Sequence, residues 1–123
     1  MRKFIIPIIL LLLVGVSSAL DVKPKWSYGT GDYVWSVAIS SDGEYVVAGS
    51  KDDKVYFFDR SGKLLWSYET GGDVWSVAIS SDGKYVVAGS GDSKVYFFDR
   101  SGKLLWSYDT DDWVESVAIT PDR

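Results

Sequence analysis

Apolar and polar positions along this chain fall into short blocks separated by turn-forming residues. Val34–Ser40 (VWSVAIS), Glu44–Ser50 (EYVVAGS), Lys54–Asp59 (KVYFFD) and Lys63–Tyr68 (KLLWSY) are rich in Val, Ile, Tyr, Phe and Trp. Between them stand Ser41-Asp42-Gly43, Lys51-Asp52-Asp53 and Arg60-Ser61-Gly62. β-Branched and aromatic blocks punctuated by Gly, Asp and Ser predict four strands joined by tight turns. Asp42-Gly43 suits the positive φ angles of a hairpin. Nowhere does the pattern recur at the 3.6-residue period of an amphipathic helix, so no helix is expected beyond the N-terminal apolar run. Alternation inside the blocks is weak, because Val46-Val47-Ala48 and Tyr56-Phe57-Phe58 are apolar on both faces. Strands read this way when their sheet is covered on both sides.

The four-strand unit is repeated. Residues 26–65 and 66–105 are identical at 34 of 40 positions, differing at Gly29/Glu69, Asp32/Gly72, Tyr33/Asp73, Glu44/Lys84, Lys51/Gly91 and Asp53/Ser93. A third copy, 106–123, stops after 18 residues. A four-stranded sheet recurring every forty residues between copies of itself is the blade of a β-propeller. The expected fold is therefore all-β: an incomplete β-propeller over 26–123, with two complete four-stranded antiparallel blades plus single flanking strands. Trp26-Ser27-Tyr28 matches Trp66-Ser67-Tyr68 and reads as the end of an outer strand. Trp113–Thr120 reads as an inner strand. Propellers close with about 4–8 blades, so two blades leave apolar faces without neighbours. Such a chain is not expected to be a stable monomer; it is either a piece of a longer product or a protomer that assembles with copies of itself. Arg123 stands where Gly43 and Gly83 stand in the earlier turns, and this ending inside a hairpin adds a truncated reading frame to the expectations.

Residues 1–19 read as a signal peptide: basic Arg2 and Lys3, the apolar run Phe4–Val16, then the small residues Ser17-Ser18-Ala19. The run has 13 residues, against about 20 for a membrane-spanning helix, so export is expected, with an uncleaved N-terminal anchor as the alternative. The expected location is secreted, extracellular or at the cell surface. Residues 20–25 form a short polar lead. Cleavage would shift the formal charge from −4 to about −6, with 11 basic and 17 acidic residues remaining. That sign excludes nucleic acid as a partner and leaves the membrane reachable only through an uncleaved N-terminal segment. There is no cysteine to form a disulfide and no histidine to serve as general base or metal ligand. Asn is absent as well, so no N-linked glycosylation site exists.

Val77-Ala78-Ile79-Ser80-Ser81-Asp82-Gly83-Lys84-Tyr85 resembles the stretch of a WD40 blade running from the inner strand through its Ser-Pro-Asp-Gly turn. Gly89-Ser90-Gly91-Asp92 with Lys94–Asp99 resembles its later half. The resemblance implies a structural turn aspartate at Asp52 and Asp92. Phe58-Asp59 and Phe98-Asp99 stand in place of the Trp-Asp pair, and the Gly-His pair is missing, so the usual WD40 tetrad cannot form. Asp59-Arg60-Ser61-Gly62-Lys63-Leu64-Leu65-Trp66 is similar to the docking motif of quinoprotein (PQQ-like) propellers, one residue shorter, which implies that Trp66 and Trp106 pack between blades. A quinone-dependent dehydrogenase holds its cofactor on the axis of a complete propeller, and two blades cannot enclose that site.

No residue emerges as catalytic, cofactor-binding or metal-binding, and no cofactor is expected. The recurring Trp26, Trp35, Trp66, Trp75 and Trp106 read as inter-blade core. Trp113 and Glu115 depart from the repeat and read as the end of the array. Asp52, Asp53 and the cluster Asp109, Asp111 and Asp112 lack the spacing of a calcium loop and read as turn caps or solvated carboxylates. Serines find no activating base. The expected role is binding or scaffolding, not catalysis, through a protein partner or through self-association of exposed blade faces. The alternatives are a fragment of a quinone-dependent dehydrogenase or a truncated frame with no function of its own.

Overall fold

The computed structural model describes residues 22–120; the signal peptide expected at 1–19 and the final residues 121–123 lie outside them. Eight strands follow in chain order: β1 Val34–Ile39, β2 Tyr45–Ser50, β3 Lys54–Asp59, β4 Leu64–Glu69, β5 Val74–Ile79, β6 Tyr85–Ser90, β7 Lys94–Asp99 and β8 Leu104–Asp109. They build two four-stranded antiparallel sheets, β1–β4 and β5–β8, each strand pairing with the next. This is the expected all-β, incomplete propeller: two whole blades, unclosed, with no helix among the described residues.

Turn chemistry sets the strand ends. Asp42 accepts hydrogen bonds from the Ser40 hydroxyl (2.8 Å) and the Glu44 N–H (2.9 Å). Asp59 likewise accepts from the Ser61 and Lys63 N–H groups at 2.9 and 3.1 Å. These side-chain caps satisfy donors that the ladder cannot. Gly62 has φ +91°, and a Cβ there would meet the Trp26 ring at 2.6 Å, so both backbone and packing require glycine.

Two irregularities recur in both blades. The β1–β2 ladder pairs Val34 with Ser50 and Ser36 with Gly49, leaving Trp35 as the extra residue of a bulge. Trp75 holds the same place in β5. In β4 and β8 the register skips Leu65 and Leu105. A bulge turns its extra side chain away from the alternation of the strand, which sets the two indoles apart from the buried seam.

The core lies between the blades. Val47, Val55 and Phe57 of the first sheet pack with Val74, Val77, Ile79, Tyr96 and Phe98 of the second, all buried. Gly49 lets the sheets approach, because a Cβ there would stand 2.6 Å from Val74 Cγ1. Polar bonds add to the seam at its inner edge. Ser41 donates to the Ser81 carbonyl from both N–H (3.0 Å) and hydroxyl (2.8 Å), and the Val77 N–H donates to Ser36 Oγ at 3.2 Å.

Two flanking segments differ from expectation. Neither Trp26-Ser27-Tyr28 nor Trp113–Thr120 forms a strand. The reason is that a strand needs a ladder partner, and neither segment has one among the described residues. Both segments nevertheless occupy blade-like positions. Trp26 packs on Phe58 and donates its indole N–H to the Arg60 carbonyl at 2.9 Å, as Trp66 packs on Phe98 and donates to the Arg100 carbonyl at 2.8 Å. The Val117 N–H donates to Ser76 Oγ at 3.1 Å, repeating the Val77–Ser36 bond one blade on.

Candidate functional site

Three surfaces stand out once the buried seam is taken as a reference. The first is the leading face of the first blade. Strands β1 and β5 share the sequence VWSVAI, yet their exposures are opposite: Val34, Val37 and Ile39 are 46%, 64% and 61% exposed, whereas Val74, Val77 and Ile79 are 0%, 6% and 9%. Only the presence of a preceding blade differs. The second surface is the trailing face of the last blade, where Val95, Trp106, Ser107 and Tyr108 line an open depression of about 420 Å³. In the seam the matching place is filled: Trp66 stacks on Phe57 (5.0 Å between centroids) and meets Phe98 (5.1 Å), while Tyr68 meets Tyr96 and Phe98. The placement implied for Trp66, between blades, is therefore observed. Trp106 stacks on Phe97 alone and its other side is open.

The third surface is an indole ladder along the inner rim. Trp35 and Trp75 were expected in the inter-blade core; they do meet across the blades, stacked 5.1 Å apart and 30° from parallel, with Trp35 left exposed. Trp113 continues the stack at 6.2 Å and 28°. It thus stands in for the tryptophan that Glu115 replaces in the third copy. The departure at 113 and 115 was visible in the sequence, but its compensating geometry was not, because it depends on where the bulge aims the ring. The Trp35 N–H donates to Asp73 at 3.1 Å. Trp113 occupies the position one copy further on that corresponds to Asp73, and the Trp75 N–H is buried without an acceptor among the described residues. Gly72, Asp73, Trp75, Gly91 and Trp113 line a cavity of about 310 Å³, and Glu115 joins the two indoles in lining an adjoining one of about 300 Å³.

The turn aspartates act structurally. Asp52 accepts from the Gly31 N–H (2.9 Å), the Lys54 N–H (3.0 Å) and the Tyr56 hydroxyl. Asp92 repeats this with Gly71, Lys94 and Tyr96. Burial alone would raise both carboxyl groups; the phenol and backbone donors outweigh it and hold them below the ordinary value. Desolvation and the adjoining carboxylate push the Tyr56 phenol up to about 12. Asp53 moves the other way, raised first by burial and then by the carboxylates of Asp73, Glu69, Asp52 and Asp92. Carboxylates from both blades thus gather around Asp53.

One arginine of the repeat has different partners in the two blades. Arg60 pairs with Glu44 at 3.4 Å. In the second blade that glutamate is Lys84, and Arg100 turns over the Tyr45 ring, 4.7 Å from its centroid, donating to the Gly83 and Asp82 carbonyls at 3.0 and 2.7 Å. The arginine of the second blade thus lies in the seam, against the preceding blade's Tyr45, whereas that of the first blade makes a surface ion pair.

Repeated four-stranded blades, tied by a turn aspartate and docked through a tryptophan, define a WD40-like β-propeller repeat protein. Two solved structures are similar, the WD40 repeats of RRP9 and U3-55K, each at 22% identity and TM-score 0.69 over 75% of this chain. The chain spans 31% of the length of each of them. The family model of the lambda-carrageenase β-propeller domain matches residues 13–121, and the chain belongs to that family. No curated protein matches it.

Proposed function

We propose that the chain is an exported binding and scaffolding module whose open blade faces associate with a second copy of itself. The carrying observation is the opposite burial of one hexapeptide: VWSVAI is sealed in β5 and bare in β1. Because the repeats are nearly identical, a second copy carries the same residues that complete the existing seam. Burying the exposed part of Val34, Val37 and Ile39 would contribute roughly half of the about 1.5–3 kcal/mol per side chain that full burial brings, less the cost of association. The head-to-tail character of the two faces favours rings or short arrays over an isolated pair. Export is supported by Arg2, Lys3, the apolar run and Ser17-Ser18-Ala19; mass spectrometry finding Leu20 as the first residue of the purified chain checks it.

Size-exclusion chromatography with light scattering tests association. The expected result is one discrete oligomer that Val37→Glu converts to folded monomer. A parent chain that is monomeric and folded at tens of micromolar (a range in which weak specific interfaces are populated) would refute the reading.

A second reading rests on the family match. A longer assembly of such blades could serve a polysaccharide-degrading enzyme as its propeller domain. This chain then supplies a non-catalytic part of it, as the absence of any histidine suits. Release of reducing ends from lambda-carrageenan by the purified chain alone would contradict the non-catalytic role.

A further inference from the structure

The segments on either side of the two blades repeat the seam contact by contact. In the seam, Trp66 meets Phe98 at 5.1 Å and 40°, and Tyr68 meets the same ring at 5.1 Å and 64°. Trp26 and Tyr28 meet Phe58 at 5.3 Å and 40° and at 5.0 Å and 64°. The Trp66 N–H donates to the Arg100 carbonyl at 2.8 Å, and the Trp26 N–H to the Arg60 carbonyl at 2.9 Å. Residues 26–28 therefore hold the place on the first blade that a preceding blade's outer strand would take. The other end behaves alike. A Cβ at Gly49 would stand 2.6 Å from Val74 Cγ1, and one at Gly89 would stand 2.5 Å from Val114 Cγ1. The bond from the Val77 N–H to Ser36 Oγ (3.2 Å) returns as Val117 N–H to Ser76 Oγ (3.1 Å). Residues 113–120 thus hold the place of a following blade's inner strand.

We propose that these two segments are caps: each competes with a second copy of the chain for the blade face it covers, and association proceeds by displacing them. This rests on the self-association proposed above and adds what governs it. A copy that sets its last blade against the first blade of its neighbour brings Trp106-Ser107-Tyr108 to the Phe58 face. That face already holds Trp26-Ser27-Tyr28, the same three residues, and both cannot be seated. The same docking brings the neighbour's Val34 to Gly89, where Val114 stands. In each contest the incoming residues belong to a laddered strand, β8 or β1, whereas neither cap joins a sheet. The cap at 26–28 also leaves Val37 and Ile39 bare, while a whole preceding blade buries their counterparts Val77 and Ile79. The exchange therefore has a net drive, and a seated cap weakens the apparent affinity in proportion to the fraction of chains it occupies.

Opposite effects from one kind of substitution are the consequence. Trp26→Ala loosens a cap and should tighten association by roughly tenfold or more. Trp106→Ala, in the same tripeptide, removes the ring that takes its place and should weaken association by at least roughly tenfold. Val114→Asp loosens the other cap and should tighten association by an independent route. Sedimentation velocity over a dilution series of the full chain gives the dissociation constants, and far-ultraviolet circular dichroism establishes that each variant is folded. The double variant Trp26→Ala/Trp106→Ala should lose the gain; a gain that persists there would mean that an uncovered Phe58 is merely adhesive, and would overturn the proposal. A monomeric parent sinks self-association and the caps together. A parent that associates, while folded Trp26→Ala and Val114→Asp associate no more tightly, sinks the caps alone.

Discussion

Gly49 and Gly89 occupy the same position in two nearly identical blades, and the same substitution should have different consequences. Neither has a positive φ, so alanine fits the backbone at both and, by restricting the unfolded chain, would by itself stabilise by about 0.4–1 kcal/mol. The difference lies in what the new methyl meets. At Gly49 it would stand 2.6 Å from Val74 Cγ1 and 3.0 Å from the Val74 carbonyl oxygen. Comfortable carbon–carbon separation is about 3.5–4.0 Å, so the β5 edge of the second blade must retreat by about 1 Å. Val74 is fully buried and held in the β5–β6 ladder, so it cannot swing aside. Overpacking of this kind costs about 1–3 kcal/mol. At Gly89 the methyl would meet Val114 Cγ1 at 2.5 Å and Val114 Cβ at 3.0 Å, a tighter clash on paper. Val114, however, belongs to the 113–120 segment, which has no strand ladder and is held by bonds such as Val114 N–H to the Ser90 carbonyl (3.2 Å) and Val117 N–H to Ser76 Oγ (3.1 Å), so it yields more readily than a ladder strand.

Gly49→Ala should therefore lower the thermal midpoint by roughly 4–20 °C, taking about 4–8 °C per kcal/mol for a domain of this size. Gly89→Ala should shift it by no more than a few degrees, in either direction. Thermal denaturation of both variants at matched protein concentration, followed by far-ultraviolet circular dichroism, gives both values. Equal destabilisation by the two substitutions would refute the reasoning, since it would mean that the 113–120 segment resists displacement as firmly as a whole blade.

Val74→Ala should cost about 2 kcal/mol from lost burial and the cavity left behind, while Val34→Ala, at the bare counterpart, should stay within about 0.5 kcal/mol when measured on the dissociated Val37→Glu chain; equal effects in denaturant would contradict the burial contrast. Tyr56→Phe removes the phenol that donates to Asp52 and should cost about 1.5–3 kcal/mol at neutral pH, as for hydrogen bonds to charged groups. Because the Asp52 carboxyl is held below its ordinary 3.8 in the folded chain, its contribution is complete above that pH and is lost as pH falls through and below it. The gap between parent and Tyr56→Phe should therefore narrow under acid, and a gap constant from pH 6 to pH 3 (a span that brackets the ordinary carboxylate pKa) would count against the assignment. At the alkaline end the raised Tyr56 phenol contributes below pH 10 and loses that contribution as pH rises toward 12.

The blade was legible in the sequence because each of its signals is local. Asp42-Gly43 and Ser61-Gly62 mark turns by backbone preference, and KVYFFD marks a strand by side-chain shape; the observed β3 keeps its expected limits at Lys54 and Asp59. The docking of Trp66 was legible through resemblance. Three features were not. The bulges at Trp35 and Trp75 leave no mark in a single strand, since register is a property of the pair. The loss of strand character at Trp113–Thr120 arises because the segment has no ladder partner among the described residues, although Val114, Ile119 and their neighbours have the same propensity as β1. The cavity beside Gly91 appears only when the six differences are placed in space, where positions 72, 73 and 91 converge.

One cause underlies all three. In a near-perfect repeat, residue identity no longer distinguishes one copy from another, so environment is set by neighbours. VWSVAI is core in β5 and surface in β1 without a single changed atom in the side chains themselves. Stability in such a chain is carried by the seams more than by the blades, and this chain has one complete seam with a partial one on either side. The terminal segments cover half of each outer face: Trp26 and Tyr28 shield Phe58 and Tyr56 at one end, and Val114 covers Gly89 at the other. What stays bare is the inner half of the leading face and the outer half of the trailing face. A substitution confined to either bare half should alter association before it alters folding, whereas one in the seam should do the reverse. That ordering separates the two roles of a single repeated sequence.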